Sequence, residues 1–233
     1  SKKINKTPKL NPYWLYGTII VVLLGISLFG EGSIQTSNKT NTSDFEKFLL
    51  NGDIEKVLIQ NEKIAKNFNM NSIVDWFIIE LFFQNNDWPF NNTFFWKKRK
   101  GNKPWNAVLI DMDACVGNPK FNMFDYVQRD WSPALGGELI NYLLKQSEFE
   151  MLFTKRVNYL LENELSSENL MANLIEFKKS FSPMVEEHYN RWGYKNGIKK
   201  YKKGLSVLEK FCLYRPENFK NNMNQYFKNI SKL

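Results

Sequence analysis

The sequence predicts a mainly helical α+β protein that follows one N-terminal transmembrane helix. Three patterns support this fold class: residues 13–29 form an uncharged apolar run, residues 93–110 contain two short strand-like runs, and apolar residues at helical spacing dominate from about residue 133 to the C-terminus. Apolar residues make up 43% of the chain and aromatic residues 15%, which excludes a disordered or fibrous protein.

Residue counts exclude several kinds of site. Two cysteines exclude a disulfide scaffold and a cysteine-rich zinc module, and the single histidine, His188, excludes a multi-histidine metal site, so we expect no zinc. The formal net charge of +8 is common in nucleic-acid-binding proteins, but the chain has no nucleic-acid-binding motif and part of its charge is explained by the N-terminus. We therefore expect no nucleic-acid partner.

The N-terminal region has the pattern of a membrane anchor. Residues 1–12 carry four lysines and no acidic residue, and the apolar segment 13–30 begins with Tyr13, Trp14 and Tyr16. Its uncharged run spans about 26 Å at roughly 1.5 Å per residue, just enough to cross a bilayer core. Because lysines before a span favour a cytoplasmic N-terminus, we expect a cytoplasmic stub, a single-pass helix in the cytoplasmic membrane and an extracytoplasmic remainder. A cleaved signal peptide is the alternative.

Residues 31–63 predict a small α+β fragment. A polar linker leads to Ser43 and Glu46, which have the capping-box spacing of a helix start, and residues 54–59 suit a short strand. The residues that carry a family resemblance in this region are Tyr13, Trp14, Ser43, Asp44, Phe45 and residues 51–57. They resemble the N-terminal region of the FtsH-type AAA zinc metalloproteases.

The FtsH resemblance implies membrane anchoring and homo-oligomerisation through residues 13–60. It does not extend to proteolysis, because the chain lacks both a P-loop and a two-histidine zinc motif. A non-catalytic membrane module of this kind is one function that the sequence leaves open.

From about residue 64 the chain changes character. Residues 71–83 predict a strongly apolar helix, capped by Asn71 or Ser72, which is too short and too charged to cross a membrane and therefore belongs to the core. Two strands are expected at residues 93–96 and 105–110, joined by a basic turn.

Candidate chemistry lies in the polar segments beside these strands. Asp87 and Asn92 lie five residues apart in a loop, and the second strand runs into Asp111 and Asp113. This Asp-to-Asn spacing equals that of the protein-kinase catalytic loop, in which the aspartate accepts a hydroxyl proton and the asparagine binds a metal. If the chain turns after the second strand, both later aspartates can reach one Mg²⁺ ion. Ordinary turn residues and a sugar-nucleotide D-x-D site remain alternatives.

Residues 65–233 contain an ordered series of short motifs. Its members are Ser72 to Asp75, Asn86 to Pro89, Asn91, Asn92, Phe95, Trp96, Asp111 to Asp113, His188, Arg191, Trp192, Phe211 and Arg215. Together they resemble the CotH-type protein kinases.

The CotH resemblance implies a partial atypical protein-kinase C-lobe, with ATP and Mg²⁺ as cofactors and a protein as substrate. It implies Asp87 as catalytic base, Asp113 as the principal Mg²⁺ ligand with Asp111 beside it, and Asn92 as a further metal and cofactor ligand, with Asn91 as its competitor. It also implies a domain spanning residues 64–233, exposed outside the membrane.

Two departures from the family pattern limit this expectation. The family has an aromatic residue and a glycine after its second aspartate, whereas only Gly117 is present here, and no nucleotide-binding N-lobe is recognisable before Asp87. We therefore expect weak or absent activity, since phosphoryl transfer depends on positioning and electrostatics. Two family resemblances that meet near Ile64 also make a hybrid of two reading frames a further alternative. Pairing of Cys115 with Cys212 stays open, and His188 is expected to be a packed structural residue.

Overall fold

The computed structural model describes residues 67–101, 103–129, 135–193 and 196–230. The predicted stub, anchor and small α+β fragment, residues 1–63, lie outside the described residues. Six helices and two strands make up the described part. In chain order they are α1 (Met70–Phe83), β1 (Phe94–Trp96), β2 (Asn106–Val108), α2 (Met123–Val127), α3 (Leu135–Leu143), α4 (Ser147–Glu162), α5 (Ser167–Arg191) and α6 (Gly197–Ile230).

Helix α1 is the centre of the core. Asn69 caps its N-terminus by accepting a hydrogen bond from the Ser72 amide at 3.5 Å, so the predicted capping residues, Asn71 and Ser72, lie within the first turn instead. The helix is buried on nearly all sides, as expected for a helix that is apolar all round. Asp75 forms a bidentate pair with Arg156 of α4, with distances of 2.7 and 3.1 Å, and thereby links the two helices.

The two strands form an antiparallel ribbon beside the start of α1. Phe95 of β1 pairs with Ala107 of β2 at the middle of the register. The other side of β2 is tied to α1, because the Ala107 amide donates to the Ser72 hydroxyl at 3.0 Å and the Asn69 amide donates to the Trp105 carbonyl at 2.8 Å. Strand β2 stops at Val108, two residues before the predicted end, and this early stop allows the following chain to turn.

Helices dominate the C-terminal half, as the sequence predicts. The short helix α2, capped by Asn122, was not predicted, because its five residues are too few to show a helical pattern. The long helices α5 and α6 pack along each other, with Lys178 and Glu209 paired at 2.8 Å and the Ser182 and Tyr201 hydroxyls 2.9 Å apart. His188 is exposed on α5, so the prediction of a packed structural histidine is wrong.

The fold is thus mainly helical with a small two-stranded sheet. Among the described residues no helix is both long and apolar enough to cross a membrane. The predicted span at residues 13–30 falls outside that part of the chain and stays a prediction without support from the structure.

Candidate functional site

Two loops meet at the C-terminal end of α1. We call residues 84–93 the Asp87 loop and residues 109–117 the Asp113 loop. Asn86 joins them, because its backbone and side-chain nitrogens both donate to the Ala114 carbonyl, at 3.4 and 3.3 Å. The sequence segments that were predicted to carry the chemistry therefore lie against each other in the fold.

The end of α1 is capped by groups from these loops and from α6. A helix leaves its last four carbonyl groups without partners in the helix. Here the Glu80 carbonyl accepts from the Gln84 and Asn85 amides, and the Phe83 carbonyl accepts from the Val116 amide at 2.7 Å. The Asp113 loop is thus bonded directly to the helix that begins the Asp87 loop.

Arg215 of α6 satisfies the remaining two carbonyl groups. Its guanidinium donates to the Leu81 and Phe82 carbonyls at 2.7 and 2.8 Å, and to the Pro119 and Phe121 carbonyls at 3.1 and 2.7 Å. The side chain is fully buried, and burial lowers the pKa of Arg215 to about 9, which leaves it charged at neutral pH. A cation at a helix C-terminus also opposes the negative end of the helix dipole. Arg215 therefore holds both the helix end and the chain that follows the Asp113 loop.

Two buried amide side chains fix the start of the Asp87 loop. Gln84, in the left-handed region with φ of 61°, donates to the Asn118 carbonyl at 2.7 Å and accepts from the Gly117 amide at 2.9 Å. A Cβ atom on Gly117 would lie 3.2 Å from the Gln84 side-chain oxygen, so this close approach favours glycine. The fully buried Asn85 accepts from the Asp87 amide at 3.2 Å. The Gln84 side chain thereby fixes the backbone at the end of the Asp113 loop, and the Asn85 side chain fixes the backbone of Asp87.

Asp87 is exposed on top of this anchored segment. The Asn91 amide donates to the Asp87 carbonyl at 2.8 Å, which closes a turn between them. The next residue, Trp88, is completely buried, with its ring 5.3 Å from that of Trp76 and 5.6 Å from that of Phe77, and its bond to Pro89 is cis. The loop thus buries an aromatic anchor and leaves the aspartate side chain accessible.

The chain turns after β2, which is the arrangement that allows Asp111 and Asp113 to act together. Asp111 adopts a left-handed conformation with φ of 54° and begins a 3-10 turn over Met112–Ala114, and Val116 has φ of 61°. A left-handed conformation is costly for a β-branched residue such as valine, and strained backbone of this kind clusters at functional sites.

The carboxyl groups of the two loops affect one another. Hydrogen bonding to Asp113 raises the pKa of Asp111, and burial and the charges of Asp113 and Asp87 raise it further. Burial raises the pKa of the Cys115 thiol, and the charges of Glu80, Asp113, Asp87 and Asp111 add to this effect. The two loops therefore concentrate negative charge, which a divalent cation would neutralise.

Asn92 and Asn91 follow in the same loop. Asn92 is half-buried with φ of 57°, and its amide nitrogen is buried without a hydrogen-bond partner. Asn91 has an exposed side chain. Within the described ranges, no group of three or more histidine, cysteine, aspartate or glutamate side chains could hold a metal ion. A metal site here would rest on the Asp111–Asp113 pair with an asparagine oxygen.

The fold and the site define a mainly helical protein with an acidic centre built from two loops at one helix end. A family model, the CotH kinase protein, matches residues 31–219 of the chain. This match covers well over half of the sequence, so the chain belongs to the CotH kinase family and is a kinase-related protein. No curated protein and no solved structure matched the chain.

The family match also bears on the N-terminal predictions. It begins at residue 31, within the segment whose pattern resembles FtsH-type proteases, and it crosses the boundary expected near Ile64. Nothing in the comparisons supports the protease resemblance. The hybrid alternative loses its motivation, because it depended on two different families meeting at that boundary.

The buried residues that hold the two loops in place were not identified from the sequence. Glu80, Gln84 and Asn85 are buried there, but in sequence Glu80 is part of an apolar helical run and Gln84 and Asn85 are part of a polar loop. Glu80 was the available signal, since it is an acid in a strongly apolar helical run. Cys115 and Cys212 are both buried free thiols, so the pairing that the sequence left open is not formed in this structure.

Proposed function

We propose that this protein catalyses Mg²⁺-dependent phosphoryl transfer from ATP to a hydroxyl group of a protein substrate. The observation that carries the proposal is the contact between the Asp87 loop and the Asp113 loop, which Asn86 joins through two hydrogen bonds to the Ala114 carbonyl. Asp87 and Asp111 are 24 residues apart in sequence, and the charge of Asp87 raises the pKa of Asp111. Phosphoryl transfer needs a base for the hydroxyl proton and hard oxygen ligands for the metal, and these two loops supply both.

Asp87 is the proposed catalytic base. Its side chain is exposed, so a hydroxyl group of a protein substrate can reach it, while its backbone amide is held by Asn85 at 3.2 Å. In the reaction the carboxylate accepts the hydroxyl proton as the substrate oxygen bonds to the γ-phosphorus and the bond to the leaving ADP oxygen breaks.

Asp113 and Asp111 are the proposed Mg²⁺ ligands, with Asn92 as a third and Asn91 as its competitor. Mg²⁺ is usually held by one or two carboxylates together with substrate phosphates and water, so two aspartates fit this role although no larger acidic group is present in the described part of the chain. When bound, the ion would neutralise charge on the transferred phosphate. We favour Asn92 over Asn91 because Asn92 is the more buried of the two and lies five residues after Asp87, the spacing of the kinase catalytic loop.

Membrane anchoring, extracytoplasmic location, oligomerisation and weak activity are further parts of the proposal. Membrane anchoring through residues 13–30 and oligomerisation through residues 13–60 concern residues outside the described part of the chain. The extracytoplasmic location of the active domain follows from the proposed anchor. The expectation of weak activity is tested by the same assay as the function itself.

The test uses the full chain in detergent micelles. We would measure Mg²⁺-dependent ATP binding by calorimetry and phosphate transfer to protein from radiolabelled ATP. We expect Asp113→Asn to abolish Mg²⁺-dependent binding, and Asp87→Asn to retain binding within about threefold but lose at least 100-fold in transfer rate.

Asp125→Asn is the matched control, because Asp125 is an exposed aspartate of α2 outside both loops. It should leave binding and transfer unchanged. Equal ATP binding by the wild type and the Asp113→Asn variant, with or without Mg²⁺, would overturn the proposed function.

A further inference from the structure

Glu80 is a buried carboxyl group directly beneath the Asp87 loop. It lies in the last turn of α1, has no exposed surface, and accepts a hydrogen bond from the Trp76 indole nitrogen at 3.0 Å. Within the described residues no lysine or arginine pairs with it, whereas Asp75, the other acid of α1, is paired with Arg156. Burying a carboxyl group without a cation is costly, so an apolar residue would serve the core better.

Asn85 lies between Glu80 and the candidate base. Its backbone amide donates to the Glu80 carbonyl at 3.1 Å. Its side chain lies beside the Glu80 carboxyl group and lowers the pKa of that acid, and its side-chain oxygen accepts from the Asp87 amide at 3.2 Å. Its amide nitrogen is 3.6 Å from the sulfur of Met112, which belongs to the Asp113 loop. One fully buried side chain therefore contacts the buried acid, the backbone of the Asp87 loop and a residue beside Asp113.

The neutral form of Glu80 suits this position. Burial raises the pKa of Glu80 to about 8, although hydrogen bonds from Asn85 and Trp76 partly oppose the shift. At neutral pH the carboxyl group is therefore mostly protonated, and it can both donate and accept hydrogen bonds. A group with both capacities can fix the orientation of an amide such as Asn85, which an apolar side chain cannot do.

We propose that Glu80 is a positioning residue that holds Asp87 in place through Asn85. This inference rests on the proposed function, because it assigns the role of the base to Asp87. It accounts for an acid without a cationic partner in the mostly apolar helix α1, at the point where the site begins.

The first arm of the test needs no catalysis. Amide hydrogen exchange at Asp87 would be measured by NMR on the labelled full chain in micelles, for the wild type, Glu80→Gln and Glu80→Leu. We expect Glu80→Gln to keep the protection of the Asp87 amide, because glutamine is a neutral isostere that can bond to Asn85. Glu80→Leu should lose at least tenfold in protection.

The second arm measures phosphate transfer by the same variants. We expect Glu80→Leu to lower kcat at least tenfold with little change in the KM for ATP, and Glu80→Gln to restore most of that loss. Val74→Ala is the control for a purely structural effect, because Val74 is buried in the same helix away from the loop. It should lower stability without changing the Asp87 exchange rate or kcat.

The outcomes separate the two proposals. Unchanged exchange at Asp87 in Glu80→Leu, or a kcat for that variant no lower than for Val74→Ala, would overturn the positioning role and leave the proposed function standing. If the wild type shows no Mg²⁺-dependent ATP binding, the proposed function fails, and the exchange arm still decides whether Glu80 holds Asp87.

Discussion

Two polar loops flank strand β1, and they differ in how they are held. In the Asp87 loop, the side chains of Gln84 and Asn85 are buried and hydrogen bonded, and the ring of Trp88 is inserted in the core. In the basic turn between β1 and β2, the charged side chains of residues 97–100 are all exposed. Both segments are rich in polar residues, but only the Asp87 loop is held by buried side chains.

The difference shows what keeps a functional loop in one conformation. A buried amide must have its hydrogen bonds satisfied, and satisfying them fixes the backbone to which it is bonded. An exposed lysine is satisfied by water in many conformations, so it fixes nothing. We therefore expect substitutions below the Asp87 loop to have large effects on stability, and substitutions in the basic turn to have almost none.

Arg215→Met should have the largest effect. Methionine keeps much of the volume but removes the Arg215 donor from four carbonyl groups, including two at the end of α1, and of the four only the Phe121 carbonyl keeps another side-chain donor, from Asn222 at 3.4 Å. An unsatisfied buried acceptor costs about 1–3 kcal/mol, and removal of the buried charge offsets part of the sum, so we expect a loss of about 3–5 kcal/mol in the free energy of unfolding. Urea denaturation followed by circular dichroism would measure it.

Arg191→Met is the control, because Arg191 is exposed at the end of α5. It should change the free energy of unfolding by less than about 0.5 kcal/mol. A similarly small effect for Arg215→Met would remove Arg215 from the support of the site.

Glu80 should make stability fall as pH rises. Its pKa is about 8 in the folded protein and 4.5 in the unfolded chain, so folding takes up a proton between these values and the stabilising contribution is lost through that window. The loss approaches about 1.4 kcal/mol per pH unit. In Glu80→Gln this component is absent, so the variant should gain stability over the wild type between pH 5 and pH 8, measured by urea denaturation at each pH. Parallel pH profiles for the two proteins would contradict a buried neutral carboxyl.

The sequence could predict the architecture where its periodicity is strong. The apolar run of α1, the two aromatic strand segments and the helical C-terminal half are all present close to their predicted positions. The predicted ends of helices and strands were wrong where local hydrogen bonds and backbone turns determine them. Asn69 rather than Asn71 caps α1, and β2 ends at Val108, shortly before the chain turns at Asp111, which adopts the left-handed conformation.

The site was predictable only in part for a similar reason. Asp87, Asp111 and Asp113 stand out in sequence because of their spacing, and the structure brings their charges within interaction range. Their support comes from Asn85 and from Arg215, which bonds to Leu81, 134 residues away in sequence. Arg215 belongs to the motif set of the CotH resemblance, but its role was not predicted. An arginine contacting carbonyl groups leaves no local pattern, because its partners are backbone atoms whose positions depend on the fold.

Gln84→Ala should have a moderate effect. It removes the hydrogen bonds that join the Asp87 loop to Gly117 and Asn118, at 2.9 and 2.7 Å. We expect a loss of about 1–3 kcal/mol in the free energy of unfolding, because two backbone groups lose a partner and one side chain is shortened in the core. Thermal denaturation would measure it beside Gln128→Ala, whose side chain bonds only within α2 at the Phe124 carbonyl. Equal losses for the two variants would show that the link between the loops adds no stability.

The smallest effect is expected in the basic turn. The prediction concerns Lys98, Arg99 and Lys100, which are exposed. Lys97 is not substituted, because its ammonium group lies 4.5 Å from the centre of the Trp105 ring. Replacing the first three by alanine should change the free energy of unfolding by less than about 0.5 kcal/mol, since exposed side chains without fixed partners contribute little. Stability and Mg²⁺-dependent ATP affinity would be measured on the same preparation. An unchanged affinity would place ATP binding on the Asp87 and Asp113 loops. A tenfold loss of affinity with unchanged stability would show that the basic turn contacts phosphate, and it would contradict the contrast between the two segments.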